Sequence, residues 1–336
     1  MLSPGKRKGL KAVSNARGVI AALAIDQRSA LRSLFAKAMG VEPEAVPRPA
    51  LEQFKEAVSR VLTPHASAIL LDPEYGLSAA RQRANNAGLL LAYEQTGYDR
   101  AVPGRLPHLL NGYSVERLVA EGADCIKILL YYSPFSHPSI NNQKHAWVQR
   151  IGAECASSDV PFFLELVGYD DAIEEKGIEF ARIKPEVTAV SMEEFSKPEY
   201  AVDVIKVGVP VNMAFVEGSR SNPASAVYNR KEAIAHFVRA AASARKPFIY
   251  LSEGVSNETF NEALELAAEA GANFSGVLCG RATWKDGVPI FAQKGVRALE
   301  EWLSNQGTQN IQQLNARLGR ATPWFEFYGS PSAGAV

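Results

Sequence analysis

The run Ser114-Val-Glu-Arg-Leu-Val-Ala-Glu-Gly122-Ala-Asp-Cys125-Ile-Lys127-Ile-Leu-Leu130 decides how the rest of the chain is read. Ser114 has the side chain of a helix N-cap, and Gly122 suits the position just past a helix end. Cys125–Leu130 then follows as a nearly unbroken apolar run. Continuous runs, unlike polar/apolar alternation, belong to strands covered on both faces, the habit of parallel sheets.

The same alternation recurs along the chain. Strands are predicted over Val19–Ile25, Ala68–Leu71, Leu89–Tyr93, Cys125–Leu130, Pro161–Val167, Val204–Val207, Phe248–Leu251 and Gly276–Cys279. Helical segments lie between them. Arg230–Arg245 carries Ile234, Phe237, Val238 and Ala241 on one stripe, and Ser256–Gly271 turns Phe260, Leu264 and Ala267 or Ala268 inward. Eight strands interleaved with helices close into a barrel or open into a doubly wound sheet. No Gly-x-Gly-x-x-Gly opens a helix and there is no P-loop, which removes the main support for a nucleotide-binding sheet. The expected fold is therefore α/β, a parallel (β/α)8 TIM barrel in one domain over residues 16–325. An N-terminal extension (1–15) precedes it and a flexible tail (326–336) follows. Met39–Pro49, Thr96–Pro107 and Gly218–Ala224 read as loops.

The bulk numbers narrow the function. The chain has 336 residues, 47% of them hydrophobic and 21% charged, enough for a core without disulfides. Lys plus Arg and Asp plus Glu are 36 each, so no net field draws nucleic acid or an anionic membrane, and any anion must be gripped locally. Cys125, Cys155 and Cys279 are few and scattered, as expected of buried thiols in a reducing cytoplasm. The basic N-terminus leads into no apolar signal region, and no run reaches the roughly 18 apolar residues of a membrane span. A cytoplasmic location away from membranes is expected.

Charged residues interrupt or end the apolar runs at Asp26, Asp72, Lys127, Glu165 and Lys206. An isolated charge in a dry interior costs several kcal/mol or neutralises itself. For any single one of these, a buried ion pair at a strand end is an equal reading. Five on separate strands point instead to a shared pocket at the C-terminal mouth of the barrel, where barrel enzymes keep their catalytic groups.

Two lysines suggest imine chemistry. A lysine becomes a nucleophile at neutral pH through desolvation or a neighbouring cation, and Lys127 is placed to be that neighbour for Lys206. An imine withdraws electrons, so an adjacent carbon–carbon bond can break to leave an enamine. Glu165, on the strand between, is placed to move the protons this requires. After the last two strands come Tyr250-Leu-Ser-Glu-Gly-Val-Ser256 and Gly276-Val-Leu-Cys-Gly-Arg-Ala-Thr-Trp284. Barrels often bind phosphate there; Ser252, Gly254, Gly280 and Arg281 are the candidates. His65, His108, His137, His145 and His236 show no ligand spacing, so no metal and no other cofactor is expected.

Longer segments carry a resemblance. Ala22-Leu-Ala-Ile-Asp-Gln-Arg28, Leu70-Leu-Asp-Pro-Glu-Tyr-Gly-Leu77, Gly88-Leu-Leu-Leu-Ala-Tyr-Glu94, Gly122 to Tyr132, Pro161-Phe-Phe-Leu-Glu165, Lys206-Val-Gly-Val-Pro-Val-Asn212 and Gly276 to Trp284 together resemble the tagatose-1,6-bisphosphate aldolases of lactose and galactose utilisation. These are class I enzymes on a (β/α)8 barrel. The resemblance implies cleavage of D-tagatose 1,6-bisphosphate to glycerone phosphate and glyceraldehyde 3-phosphate, with Lys206 as imine lysine and Glu165 as acid/base. Asp26, Gln27 and Lys127 match pocket residues of the family, and Ser252 and Arg281 match its phosphate contacts. Two positions depart from the pattern. Gly208 stands where the family carries Glu, and Glu253 stands where it carries a small residue, which leaves fructose 1,6-bisphosphate or a sulfofructose phosphate open as substrate. A sugar-phosphate-sensing regulator on the same scaffold is the rival from another class, and Lys206, Glu165 and Lys127 together argue for catalysis. Exposed barrel helices often pair, which leaves a homo-oligomer open.

Overall fold

All eight apolar runs become strands in the computed structural model, which describes residues 2–99, 101–221 and 225–329. They are β1 (Ile20–Ala24), β2 (Ala68–Leu71), β3 (Gly88–Ala92), β4 (Cys125–Tyr132), β5 (Phe162–Gly168), β6 (Val204–Gly208), β7 (Phe248–Leu251) and β8 (Gly276–Cys279). Every pairing is parallel and β8 returns to β1, so the sheet closes as β1-β2-β3-β4-β5-β6-β7-β8. A parallel sheet without an edge must be covered all round by helices. These are α1 (Pro4–Ala12), α2 (Ser29–Met39), α3 (Arg48–Leu62), α4 (Leu77–Arg81), α5 (Val115–Ala120), α6 (Pro138–Ser157), α7 (Ile178–Phe195), α8 (Arg230–Ser243), α9 (Asn257–Glu269), α10 (Arg281–Trp284), α11 (Gly287–Trp302) and α12 (Thr308–Arg317). Among the described residues no helix is long and apolar enough to cross a membrane.

Local signals explain the helix ends. The Ser114 side chain accepts from the Arg117 amide at the start of α5, and Gly122 takes φ +96° just after it. Asn229 and Glu232 form a reciprocal capping box on α8. The stripe expected on α8 is shifted: Ala233, Phe237, Ala240 and Ala241 are buried, whereas Val238 is 48% exposed.

The strand period of two sorts the core into layers. Ile20, Ala22, Ala24, Ala68, Leu70, Leu90, Ala92, Cys125, Phe163, Val204, Ile249 and Leu278 fill the barrel interior. The alternate residues, such as Leu23, Ile69, Ile126, Leu164 and Ile205, pack outward beneath the helices. The floor is closed from both ends of the chain. Leu10 and Val13 from the N-terminal segment and Trp324 join the interior cluster. The Lys6 ammonium donates to Asp203 at 2.7 Å, and the Tyr328 hydroxyl donates to the Asp203 carbonyl at 2.6 Å. Residues 4–12 and 324–328, placed by sequence in or next to an extension and a tail, thus pack on the barrel. The rest of that tail, 330–336, lies outside the described residues, as does part of the Gly218–Ala224 loop. Met39–Pro49 is the expected connection between α2 and α3, with one short turn at Pro43–Ala45.

Candidate active site

Continuing the inward row past each strand leads to the C-terminal mouth. Ala22 and Ala24 are followed by Asp26, Leu90 and Ala92 by Glu94, Cys125 by Lys127, Phe163 by Glu165, and Val204 by Lys206. Small or apolar side chains thus fill the lower barrel and charged ones cap it. The cap is one network. Glu165 and Lys206 are register partners on β5 and β6, with Oε2 2.8 Å from Nζ. The same Oε2 lies 2.7 Å from Lys127 Nζ, which also donates to Asp26 Oδ2 and Glu94 Oε1, each at 2.8 Å.

Burial sets the protonation states through competition. Burial alone would raise the Asp26 and Glu165 carboxyls, but Lys127 and Lys206 overcome it and hold both below the ordinary carboxylate range. Burial would likewise strip the proton from Lys127, yet Asp26, Glu165 and Glu94 hold its ammonium well above the ordinary value. Lys127 is therefore a fixed cation. Glu94 goes the other way: burial, with the Asp26 charge added, raises its carboxyl despite Lys127 and Arg28. Its Oε2 has no hydrogen-bond partner among the described residues. The three carboxyls around one ammonium are thus pushed apart in acidity, two down and one up, the arrangement that separates an acid from a base.

Above this network opens a cavity of about 660 Å³. Asp26, Gln27, Glu94, Glu165, Ser252, Gly254 and Arg281 line it. Lys206, 3% exposed, and Lys127, fully buried, lie beneath the floor and are bonded to residues that line it. Gln27 Nε2 donates to Asp26 Oδ1 at 3.1 Å. On one wall the turn after β7 presents Ser252, Glu253 and Gly254, and Arg281 at the start of α10 lies against Gly254. The Arg281 guanidinium makes no hydrogen bond or ion pair to another described residue, so its donors are available. Gly280 does not line the cavity; a side chain there would overlap the Ala24 carbonyl at the β8–β1 seam. On the opposite wall Arg105 stacks 4.6–5.3 Å from the rings of Tyr98, Tyr131 and Tyr169 and pairs with Glu175. Among the described residues, no cluster of His, Cys, Asp and Glu could hold a metal ion.

One charge expected at the mouth is elsewhere. Asp72 does not line the cavity; it is fully buried against the ammonium of Lys55 on α3. Lys55 also donates to the carbonyls of Ile25 at 2.7 Å and Gln27 at 3.0 Å. Asp72 Oδ1 accepts from the Glu74 and Tyr75 amides. Here the buried ion pair is the correct reading, because a helix lysine reaches in between the tops of β1 and β2. Conversely, the sequence reading gave no role to Glu94 or Arg28. Arg28 donates to the Glu94 carbonyl at 2.8 Å and pairs with Glu74 at 2.6 Å. The inward row Leu90, Ala92, Glu94 was the available signal.

Gly208 and Glu253, the two positions singled out in the sequence, occupy one place. The Glu253 carboxylate lies where a side chain on Gly208 would be and bonds Lys184 Nζ on α7 at 2.6 Å, and both Glu253 and Lys184 line the cavity. The Lys184 ammonium thereby balances the Glu253 charge at this place.

A model described as "DeoC/LacD family aldolase" matches residues 20–286. Tagatose 1,6-diphosphate aldolase 2 of Enterococcus faecalis is 53% identical over 94% of this chain and 93% of that protein. Tagatose 1,6-diphosphate aldolase of Listeria monocytogenes is 46% identical over 98% of this chain and 96% of that protein. Among solved structures, fructose-bisphosphate aldolase from Slackia heliotrinireducens superposes with a TM-score of 0.59 over 94% of this chain and 92% of that one. At 14% identity that likeness concerns the fold alone. With a family model spanning the whole barrel and relatives about half identical along nearly all of the chain, this protein belongs to the DeoC/LacD family of aldolases.

Proposed function

We propose that the protein is a class I aldolase that cleaves D-tagatose 1,6-bisphosphate to glycerone phosphate and D-glyceraldehyde 3-phosphate through an imine on Lys206. The observation that carries the reading is the shared Glu165 oxygen, 2.8 Å from Lys206 Nζ and 2.7 Å from Lys127 Nζ under a cavity lined by Asp26 and Arg281.

In the forward direction Glu165 takes a proton from Lys206 as the two separate, and the freed amine adds to the C2 carbonyl. A proton delivered through Glu165 lets the carbinolamine lose water as the iminium forms. The C4 hydroxyl then gives its proton to the Glu165 carboxylate, which Lys127 keeps ionised until it is needed. The C3–C4 bond breaks, its electron pair passes to the enamine, and glyceraldehyde 3-phosphate departs as the aldehyde. Protonation of the enamine at C3 and addition of water return the amine and release glycerone phosphate. Asp26 and Gln27 face the same floor and suit contacts to the substrate hydroxyls. Ser252, Gly254 and Arg281 suit the 1-phosphate, with Arg281 offering a two-pronged contact.

The test is product formation. Purified protein given D-tagatose 1,6-bisphosphate should release triose phosphates detectable by a coupled reductase assay. Folded protein that releases none from this bisphosphate refutes the substrate assignment.

A further inference from the structure

The turn after β7 is held in an unfavourable shape by a residue poorly suited to it. Glu253 has φ +50° and Gly254 φ +81°, two left-handed residues in succession. For a residue with a side chain this conformation is strained. Among the described residues neither the Glu253 nor the Gly254 amide has a hydrogen-bond acceptor, and both residues line the cavity. Successive amides in such a turn form a concavity suited to an anion.

Three residues from three elements keep that turn in place. Lys184 is almost wholly buried on α7, and Glu253 is its only hydrogen-bond or ion-pair partner among the described residues. A buried ammonium needs a carboxylate, and its loss would leave an uncompensated charge. Glu253 Oε2 meets it at 2.6 Å, while Oε1 fills the space above Gly208. Gly208 closes β6 in register with Leu251, directly before the turn. A side chain at 208 and the Glu253 carboxylate therefore compete for one volume, and Lys184 accepts a carboxylate from either strand.

We propose that Glu253 is a positioning residue for the phosphate end of the substrate: through the space left by Gly208 its carboxylate ties the turn Ser252–Gly254 to Lys184. The ion pair fixes the backbone that presents the free amides and cancels a negative charge beside the phosphate. The proposal rests on the aldolase reading above, in which this turn takes the 1-phosphate.

The experiment compares borohydride trapping of the wild-type protein and its variants with glycerone phosphate and with dihydroxyacetone, which lacks the phosphate. Glu253→Gly removes the carboxylate and suits the left-handed backbone. It should raise the half-saturating glycerone phosphate concentration about tenfold or more, while dihydroxyacetone half-saturation and the maximal extent of trapping stay within about twofold. Gly208→Glu combined with Glu253→Gly returns a carboxylate to Lys184 from the neighbouring strand and should recover most of the loss. Glu253→Gln, which keeps the side-chain volume, replaces Glu253→Gly if that variant fails to fold. The proposal is overturned if the single variant binds glycerone phosphate like wild type, if both ligands weaken equally, or if the double variant is no better than the single. A wild-type protein that forms no adduct with glycerone phosphate overturns the aldolase reading and this proposal together; an adduct with unmoved variants overturns the proposal alone.

Discussion

Glu165 and Lys206 stand side by side on β5 and β6, in register, with one carboxylate oxygen 2.8 Å from the amine nitrogen. The same oxygen bonds Lys127, so the carboxylate is shared between a candidate nucleophile and a fixed cation. Replacing Glu165 by Gln keeps the shape and removes the proton carrier. Steady-state kinetics should show kcat reduced by roughly 10² or more, with ketose phosphate still binding. Turnover at the wild-type rate would take the acid/base role away from Glu165.

Lys127→Met tests the fixed cation through pH. In the wild-type protein Lys127 and Lys206 outweigh burial, so Asp26 and Glu165 titrate below their ordinary values of 3.8 and 4.5. Such depressed groups stabilise the fold fully above those ordinary values, and the contribution is lost as pH falls through the folded ones. Without the Lys127 charge, burial regains influence and both carboxyls shift upward. The acid limb of kcat/KM should move to higher pH in the variant. Superimposable acid limbs would show that Lys127 does not hold these carboxylates.

The Asp72–Lys55 pair should matter to stability and not to chemistry. Both side chains are fully buried, and removing one partner strands the other's charge. Asp72→Asn should lower the free energy of unfolding in denaturant by about 3–5 kcal/mol. A loss below about 1 kcal/mol would mean that the pair is not the structural tie described.

These particular residues show how far the sequence could be read. All eight strands were legible because parallel strands buried on both faces leave unbroken apolar runs. Lys127, Glu165, Lys206 and Asp26 were legible as charges on those runs. Asp72 carried the same mark, but its partner Lys55 belongs to a helix whose pattern resembles any amphipathic surface helix. Only the three-dimensional approach of α3 to the tops of β1 and β2 separates a structural pair from a site. Glu94 escaped because it lies two residues beyond β3, although the inward parity of Leu90 and Ala92 reaches it. The contact between Glu253 and Gly208 was illegible for another reason: two unrelated-looking departures, 45 positions apart, share one volume in space.

Lys144 offers a prediction outside the active site. It is buried on α6, donates to the Tyr169 hydroxyl at 2.9 Å and has no carboxylate partner among the described residues. Burial, with the nearby Arg105 charge adding to it against Asp171, lowers its pKa from 10.5 to about 7. Between these values the unfolded chain binds a proton that the folded protein does not, so this group makes stability rise with pH. The burden on the fold is greatest below about 7 and vanishes above 10.5. Lys144→Met should therefore gain most in melting temperature, relative to wild type, near pH 6 and progressively less toward pH 10. A difference independent of pH would show that Lys144 does not titrate in this range.

The imine on Lys206 is the centre of the account, and covalent trapping reaches it most directly. Folded protein incubated with glycerone phosphate and borohydride should gain the mass of one reduced adduct. Peptide mapping should place that adduct on Lys206, and Lys206→Met should abolish it while Lys127 stays unmodified. No adduct on the folded wild-type protein, or an adduct carried by Lys127, would contradict the account.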